Sequence, residues 1–409
     1  MRFTTLTFLI FFIALYVIYW SIRGRSRLYL IVFASIVFYA AWSRVFAIHF
    51  VSILVINYYL ARMLHRGQGN RKIVLWTAIV LNAANLFLFK YFYLFLQLLF
   101  DLTGSSAFVA TNFNDWLYTS TGWESITLPL AISFYTFQLT AYVVDVYRGR
   151  IEEEAGALEF FVFILFFPQL VAGPIMRHSD FFHQLGAIAP REDYMRRGVF
   201  LVLLGLIKKV VLADNMIAPV EAVFVAPDEY GGLSNFIATT AFGMRVYLDF
   251  SGYTDVARGL GFLLGLKLPE NFNAPFLATS IRDLWTRWHI TLTTWLLDYL
   301  YIPLGGNRTG YVRTYVNLIV TFTLGGLWHG AAYNVGLWGL FHGLILAIER
   351  FVEEVREKYW PPAAGAGAAG GDGAGATAGA PPTRWYWNAL GGVNVFIAFA
   401  LGAMIFNSK

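Results

Sequence analysis

The feature that most constrains this chain is the spacing of its apolar stretches. Phe3–Trp20, Leu28–Trp42, Val45–Leu64 and Ile73–Phe89 follow one another with only short polar breaks. Ile126–Val146, Leu158–Ile175, Gly198–Val225, Leu233–Leu266, Tyr311–Trp328, Ala332–Ile348 and Tyr386–Phe406 continue the series. A bilayer core about 30 Å thick takes roughly 20 apolar residues as helix, and fewer where the helix is re-entrant. Lipid offers the backbone no hydrogen bonds, so such stretches must be helical. The expected fold is therefore all-α and polytopic, with about ten or eleven transmembrane or re-entrant helices. Composition agrees: 13% of the residues are charged, where a soluble domain carries roughly 25%. No small-residue cleavage site follows Phe3–Trp20, so this stretch reads as a retained span rather than a signal peptide.

Basic residues orient the spans. Arg23, Arg25 and Arg27 form one cluster, Arg62, Arg66, Arg71 and Lys72 a second, and Arg148 with Arg150 a third. Cytoplasmic loops carry the excess of Lys and Arg, which puts all three clusters inside. The loop from Asp101 to Glu124 has acids but no Lys or Arg, so it reads as external, with the N-terminus outside. The net charge of +5 then belongs to loops at a lipid surface and does not indicate nucleic acid. Residues 1–125 form an N-terminal set of helices with its external loop, and 126–350 a core. Residues 361–382 are almost pure Ala and Gly between proline pairs, a flexible linker, and 383–409 carry a last span. The absence of cysteine excludes disulfides, Cys-ligated metals and a cysteine acyl-enzyme. No metal motif is present.

Generic nucleotide motifs fail. Gly259, Gly261 and Gly265 have the wrong spacing for a dinucleotide fingerprint. Gly261 and Gly265 read instead as a small-xxx-small pair for helix packing. Ser280–Gly306 is more informative. At ~100° per residue, Trp285, Trp288, Leu292, Trp295 and Tyr299 share one ~80° stripe, and Asp283, Arg287, Thr294 and Asp298 face the other way. That predicts a single amphipathic helix near an interface, with Asp283 and Arg287 paired at i,i+4. His289 sits at the boundary of the two faces, readable as an interfacial hydrogen-bonding residue or as part of a site. From Val316 to Leu346 there is no charged residue but there are two histidines. An ionisable group inside the membrane is a functional candidate. His329, beside Gly325, Gly326 and Gly330, is the better one; His342 falls on another face and reads as packed. Lys208, Lys209, Asp249 and Asp255 read as structural, the lysines by snorkelling.

Seven stretches carry a family resemblance: LPLAISFYTFQLTAYVVDVYRG, FFPQLVAGPI, GLIKKVVLADN, DFSGYTDVARGLG, LPENFNAPF, RWHITLTTWLLDYLYIPLGGNR and GGLWHGAAYNVGLWGLFHG. In this order the chain resembles the membrane-bound O-acyltransferase (MBOAT) superfamily, and within it the alginate O-acetyltransferase type. The SFYTFQ and PQLVAGPI stretches are closer to that type than to the D-alanyl-lipoteichoic acid branch. The resemblance implies a ring of tilted helices around a central funnel. It implies the WHG histidine, His329, as the essential residue and the RWH histidine, His289, as its companion. It also implies a multi-pass protein of the inner or plasma membrane, with cytoplasmic acetyl-coenzyme A as donor substrate and no permanently bound cofactor. The acceptor would be a polysaccharide or an extracytoplasmic relay partner. The chain departs from the resemblance toward its end, where the linker and one span stand in place of further helices.

Acyl transfer to a hydroxyl needs a base, oxyanion donors and a positioned thioester. His329 is the expected base and His289 the residue that orients the acceptor or stabilises developing charge. Trp328 and Asn334 are candidate wall residues, and Arg282, Arg287 and Arg308 candidate contacts for the coenzyme A phosphates. Two alternatives stand beside this reading: the same fold taking D-alanyl or another acyl group from a carrier protein, and a channel or transporter without chemistry.

Overall fold

The computed structural model describes residues 1, 3–359 and 385–407, and no strand occurs among them. The expected linker, 361–382, lies outside the described residues. The chain forms two compact units, Met1–Glu270 and Asn271–Lys409, so the division falls within the 126–350 segment.

The first unit begins with α1 (Leu6–Ser21), α2 (Ser26–Ala40), α3 (Arg44–His65), α4 (Arg71–Leu86) and α5 (Phe92–Thr103). It continues through α6 (Ala110–Thr121), α7 (Ile132–Tyr147), α8 (Ala157–Leu165), α9 (Phe167–Leu170) and α10 (His178–Leu185). It ends with α11 (Glu192–Leu206), α12 (Ile217–Val225) and α13 (Gly232–Leu263). The second unit holds α14 (Ile281–Arg287), α15 (Ile290–Leu296), α16 (Tyr311–His329), α17 (Tyr333–Tyr359) and α18 (Trp385–Asn407). By length and composition, Arg44–His65, Arg71–Thr103 and Tyr333–Tyr359 can each cross a membrane. Leu6–Ser21, Ser26–Ala40 and Gly391–Asn407 are apolar but shorter. Ile10, Ile13, Val17, Phe33, Ile48 and Trp76 point outward, as a lipid-facing surface requires.

Several expectations are revised. The segment Asp101–Glu124, read as a loop, contains α6. The Leu158–Ile175 span is not one helix: it breaks at Phe166, restarts in α9 with Pro168 in its first turn, and leaves the helical state after Leu170. Proline lacks the amide hydrogen that a continuous helix needs there. Arg27, counted with the surface cations, is buried; it donates to the carbonyls of Tyr19, Ile22 and Ile188 and packs over the Trp20 ring. It thereby satisfies carbonyls at the end of α1 that have no partner inside the helix.

Packing in the first unit depends on close backbone approach of α11 and α13. A Cβ on Gly198 would overlap Leu263, one on Gly205 would overlap the Gly252 carbonyl, and the reverse holds for Gly252 and Gly259. The glycines that let these helices meet are therefore Gly198 and Gly205 on α11 with Gly252 and Gly259 on α13, not the Gly261/Gly265 pair. Gly261 packs on its own following turn, and Gly265 lies past the helix end at φ 79°. A π-helical turn, Ile207–Ala213, follows α11 and carries both lysines. Lys208 pairs with Asp255 at 2.6 Å, and Lys209 with Asp249 at 2.6 Å and Asp214 at 2.8 Å. They are neutralised in place rather than snorkelling.

The basic clusters of the first unit meet one acidic segment. Arg25 pairs with Glu159 at 2.6 Å, and Arg62 and Arg66 share Glu154 at 2.9 and 3.0 Å. Arg71 donates to the Tyr147 carbonyl, and Arg150 pairs with Asp145. All three clusters therefore lie at one end of the unit, as the charge pattern requires of a single membrane side.

Candidate active site

In the second unit the Ser280–Gly306 segment is not one continuous helix. Ser280 caps α14, its hydroxyl accepting from the Asp283 amide, and α14 stops at Arg287. His289 then adopts φ 43° and ψ 51°, the left-handed region, before α15 begins. A non-glycine residue held there costs about 1–3 kcal/mol, although His tolerates it better than most. The strain is held by the segment just upstream. The Ile290 amide donates to the Asn271 carbonyl at 2.9 Å, and the Asn273 amide to the Arg287 carbonyl at 2.9 Å. The Asn271 side-chain oxygen accepts from both the Thr291 amide, 3.2 Å, and the Thr291 hydroxyl, 2.7 Å. Asn271 is 1% exposed. The Phe272 ring packs edge-on against Trp288 at 5.2 Å. Asn271, Phe272 and Asn273 thus clamp the RWH turn, and His289 ends fully buried rather than at an interface.

His329 is the last residue of α16, which ends where Gly330 turns extended. Its depth is set by the contact of α16 with α17. A Cβ on Gly326 would strike the Val335 carbonyl and Gly339, and one on Gly339 would strike the Phe322 carbonyl. Glycine at these positions lets the two backbones touch, as at other intramembrane helix contacts. The His329 ring lies 6.1 Å from His289, 5.0 Å from Trp328 and 5.3 Å from Trp338, measured between centroids. His329 is partly buried and lines a cavity of about 230 Å³. Leu292, Leu296, Leu318 and Phe322 form its apolar wall, and Thr293, Tyr301 and Thr321 also line it. The site therefore combines one accessible imidazole, a second buried imidazole behind it, and a largely dry pocket. Among the described residues no group of three metal-ligating side chains occurs.

The other sequence candidates scatter. Trp328 is buried, 5.6 Å from His289, but does not line the cavity. The Asn334 side-chain amide donates to the Phe406 carbonyl at 2.8 Å, where it serves the end of α18. Arg282 pairs with Glu353 at 2.6 Å, and Arg287 pairs with Asp283 at 2.7 Å as its spacing predicts. Arg308 is exposed. His342 is buried and absent from the cavity wall, packed edge-on against Trp285 and Trp338. Sequence reasoning missed Asn271 and Trp338. For Asn271 the available signal is a pair of asparagines flanking Phe272 between two prolines, a composition that favours side-chain capping of turns.

The fold and these paired histidines accompany a clear sequence relationship. The profile of the MBOAT, membrane-bound O-acyltransferase family, matches residues 153–374. The chain belongs to the membrane-bound O-acyltransferase family. It is 37% identical over 357 residues to the probable alginate O-acetylase AlgI of Pseudomonas aeruginosa, covering 86% of this chain and 66% of that protein. It is 36% identical over 362 residues to the peptidoglycan O-acetyltransferase of Helicobacter pylori, covering 80% and 65%. To the teichoic acid D-alanyltransferase of Bacillus subtilis it is 28% identical over 246 residues, covering 57% and 62%. The chain thus spans about two thirds of the length of these relatives.

Proposed function

We propose that the protein transfers an acetyl group from a cytoplasmic thioester, acetyl-coenzyme A, to a hydroxyl of an extracytoplasmic polysaccharide or to a relay partner. The observation that carries the reading is His329 at the wall of an apolar cavity with His289 6.1 Å behind it. Neutral His329 takes the proton of the acceptor hydroxyl as its oxygen attacks the acyl carbon. The tetrahedral oxyanion collapses, the C–S bond breaks, and the imidazolium returns the proton to the leaving thiolate. The cation formed on His329 lies at the carboxyl end of α16, where the helix dipole favours positive charge by about 0.3–1 kcal/mol. The apolar wall excludes water, which strengthens these electrostatic terms. His289, locked by the Asn271 clamp, orients the acceptor or stabilises developing charge.

Of the three arginines considered for the donor phosphates, Arg282 and Arg287 already have carboxylate partners, which favours Arg308. As an exposed contact it contributes about 1 kcal/mol or less, so Arg308→Ala raises the donor KM by roughly fivefold at most, with kcat unchanged. The similarity to an alanyltransferase supports a second reading, in which a carrier-protein thioester is the donor. Thiol release by the purified protein, offered acetyl-coenzyme A or an acylated carrier protein, separates the two. Release from coenzyme A alone is the expected result; release only from the carrier thioester overturns the coenzyme A assignment.

A further inference from the structure

Helix α18 lies beyond the family-matched residues 153–374, yet one of its faces closes on the histidine cluster of its own unit. Val395, Ala398, Gly402 and Ala403 are buried, while Ile397, Leu401 and Met404 on the other side are exposed. Phe399 packs on Trp288 at 5.1 Å and on Phe276 at 5.3 Å. Phe406 packs on His329 at 6.2 Å and on Trp338 at 5.6 Å. The Asn334 amide holds the Phe406 carbonyl, so the end of α18 is tied to the start of α17.

Gly402 is where the α18 backbone meets the histidine cluster. A Cβ built there would stand 2.6 Å from Nε2 of His342 and 3.3 Å from Nε1 of Trp338. His342 is 1% exposed, and its Nδ1 has no hydrogen-bond partner among the described residues. Packing holds this imidazole: Trp285 at 5.2 Å, Trp338 at 5.0 Å and Phe341 at 5.4 Å surround it, with the Gly402 backbone against its edge. Trp338 in turn stands edge-on to His329 at 5.3 Å and shares the cavity wall with it.

We propose that α18 is a positioning element for acyl transfer, acting through Gly402, His342 and Trp338 to fix the ring of His329. This rests on the acyl-transfer reading given above. A methyl group at position 402 displaces His342, which has no hydrogen bond at Nδ1 to draw it back. Trp338 follows, and His329 loses its orientation. Displacements near 1 Å at a reacting group can cost about a hundredfold in rate.

The test is a double-mutant cycle on the full chain, purified in detergent, reading kcat and KM for thioester turnover together with thermal stability. Gly402→Ala should lower kcat roughly ten- to hundredfold, with the donor KM close to wild type and the melting temperature lowered by several degrees, as overpacking requires. In a His329→Ala background the same substitution should cost nothing further, because coupled residues are non-additive. Gly392→Ala, whose Cβ would have no neighbour nearer than 3.9 Å, should leave turnover unchanged. Should Gly402→Ala fail to fold, Phe406→Leu removes the ring against His329 without a clash and should give the same kcat loss. Unchanged kcat in Gly402→Ala, or an equal loss in both backgrounds, overturns the proposal. If His329→Ala itself turns over at the wild-type rate, the acyl-transfer reading fails instead, and the two failures are thereby distinguished.

Discussion

The left-handed backbone of His289 makes the Asn271 clamp a sharp target. Asn271→Ala removes one buried oxygen that accepts two hydrogen bonds, from the Thr291 amide and the Thr291 hydroxyl. Each bond contributes about 0.5–1.5 kcal/mol net, and a buried amide left without a partner adds about 1–3 kcal/mol. The clamp therefore loses about 2 kcal/mol or more, while about 1–3 kcal/mol of left-handed strain at His289 pulls against it. Every 1.4 kcal/mol is tenfold, so the equilibrium between the strained turn and a relaxed one shifts by about thirtyfold toward the relaxed form. His289 then leaves its place behind His329 more often, and thioester turnover should fall by up to that factor. Thr291→Val removes only the hydroxyl bond and should cost a few-fold. The assay is initial-rate turnover by purified protein, with circular dichroism to confirm that helix content is kept. If Asn271→Ala matches wild type in turnover and melting temperature, the clamp does not hold the turn and the reasoning fails.

Other outcomes follow from the first unit. Gly205→Ala puts a methyl group into the Gly252 carbonyl; overpacking of this kind costs about 1–3 kcal/mol, so its melting temperature should fall by several degrees. Gly186→Ala meets nothing within 4 Å and should not shift it. The Arg66 guanidinium hydrogen-bonded to Glu154 holds its carboxyl below the usual value. A depressed folded-state pKa gives stability that is present above the unfolded value of 4.5 and lost as pH falls through the folded one. Melting curves of wild type and Glu154→Gln should therefore differ at neutral pH and converge below the ordinary carboxylate range. Curves that stay parallel across pH refute the role given to Glu154.

The sequence made the membrane class and the family legible, because sparse charge and span length are local signals; it marked His329 as a candidate by its uncharged segment and His289 through the family resemblance. The break at His289 was not legible. No Gly or Pro interrupts residues 281–302, and the apolar stripe runs through the turn without a phase change. What breaks the helix is tertiary: Asn271 and Asn273 bond the backbone on either side of His289. The stripe was still informative, since Trp285, Trp288, Leu292 and Trp295 are all buried. Helix contacts followed the same logic. Spacing pointed to Gly261 and Gly265, whereas the register of α11 against α13 selects Gly252 and Gly259. That register depends on which face each partner presents, which one chain segment cannot reveal. The part played by α18 was equally hidden, because its own sequence looks like an ordinary apolar span.

Turnover of acetyl-coenzyme A by wild type and by His329→Ala, with the variant shown to be folded, tests the central claim most directly. General-base catalysis by a positioned histidine typically contributes 10²–10⁴-fold, so the account predicts a loss of at least about a hundredfold in kcat. Wild-type turnover in folded His329→Ala would contradict it and move the chemistry away from this cavity.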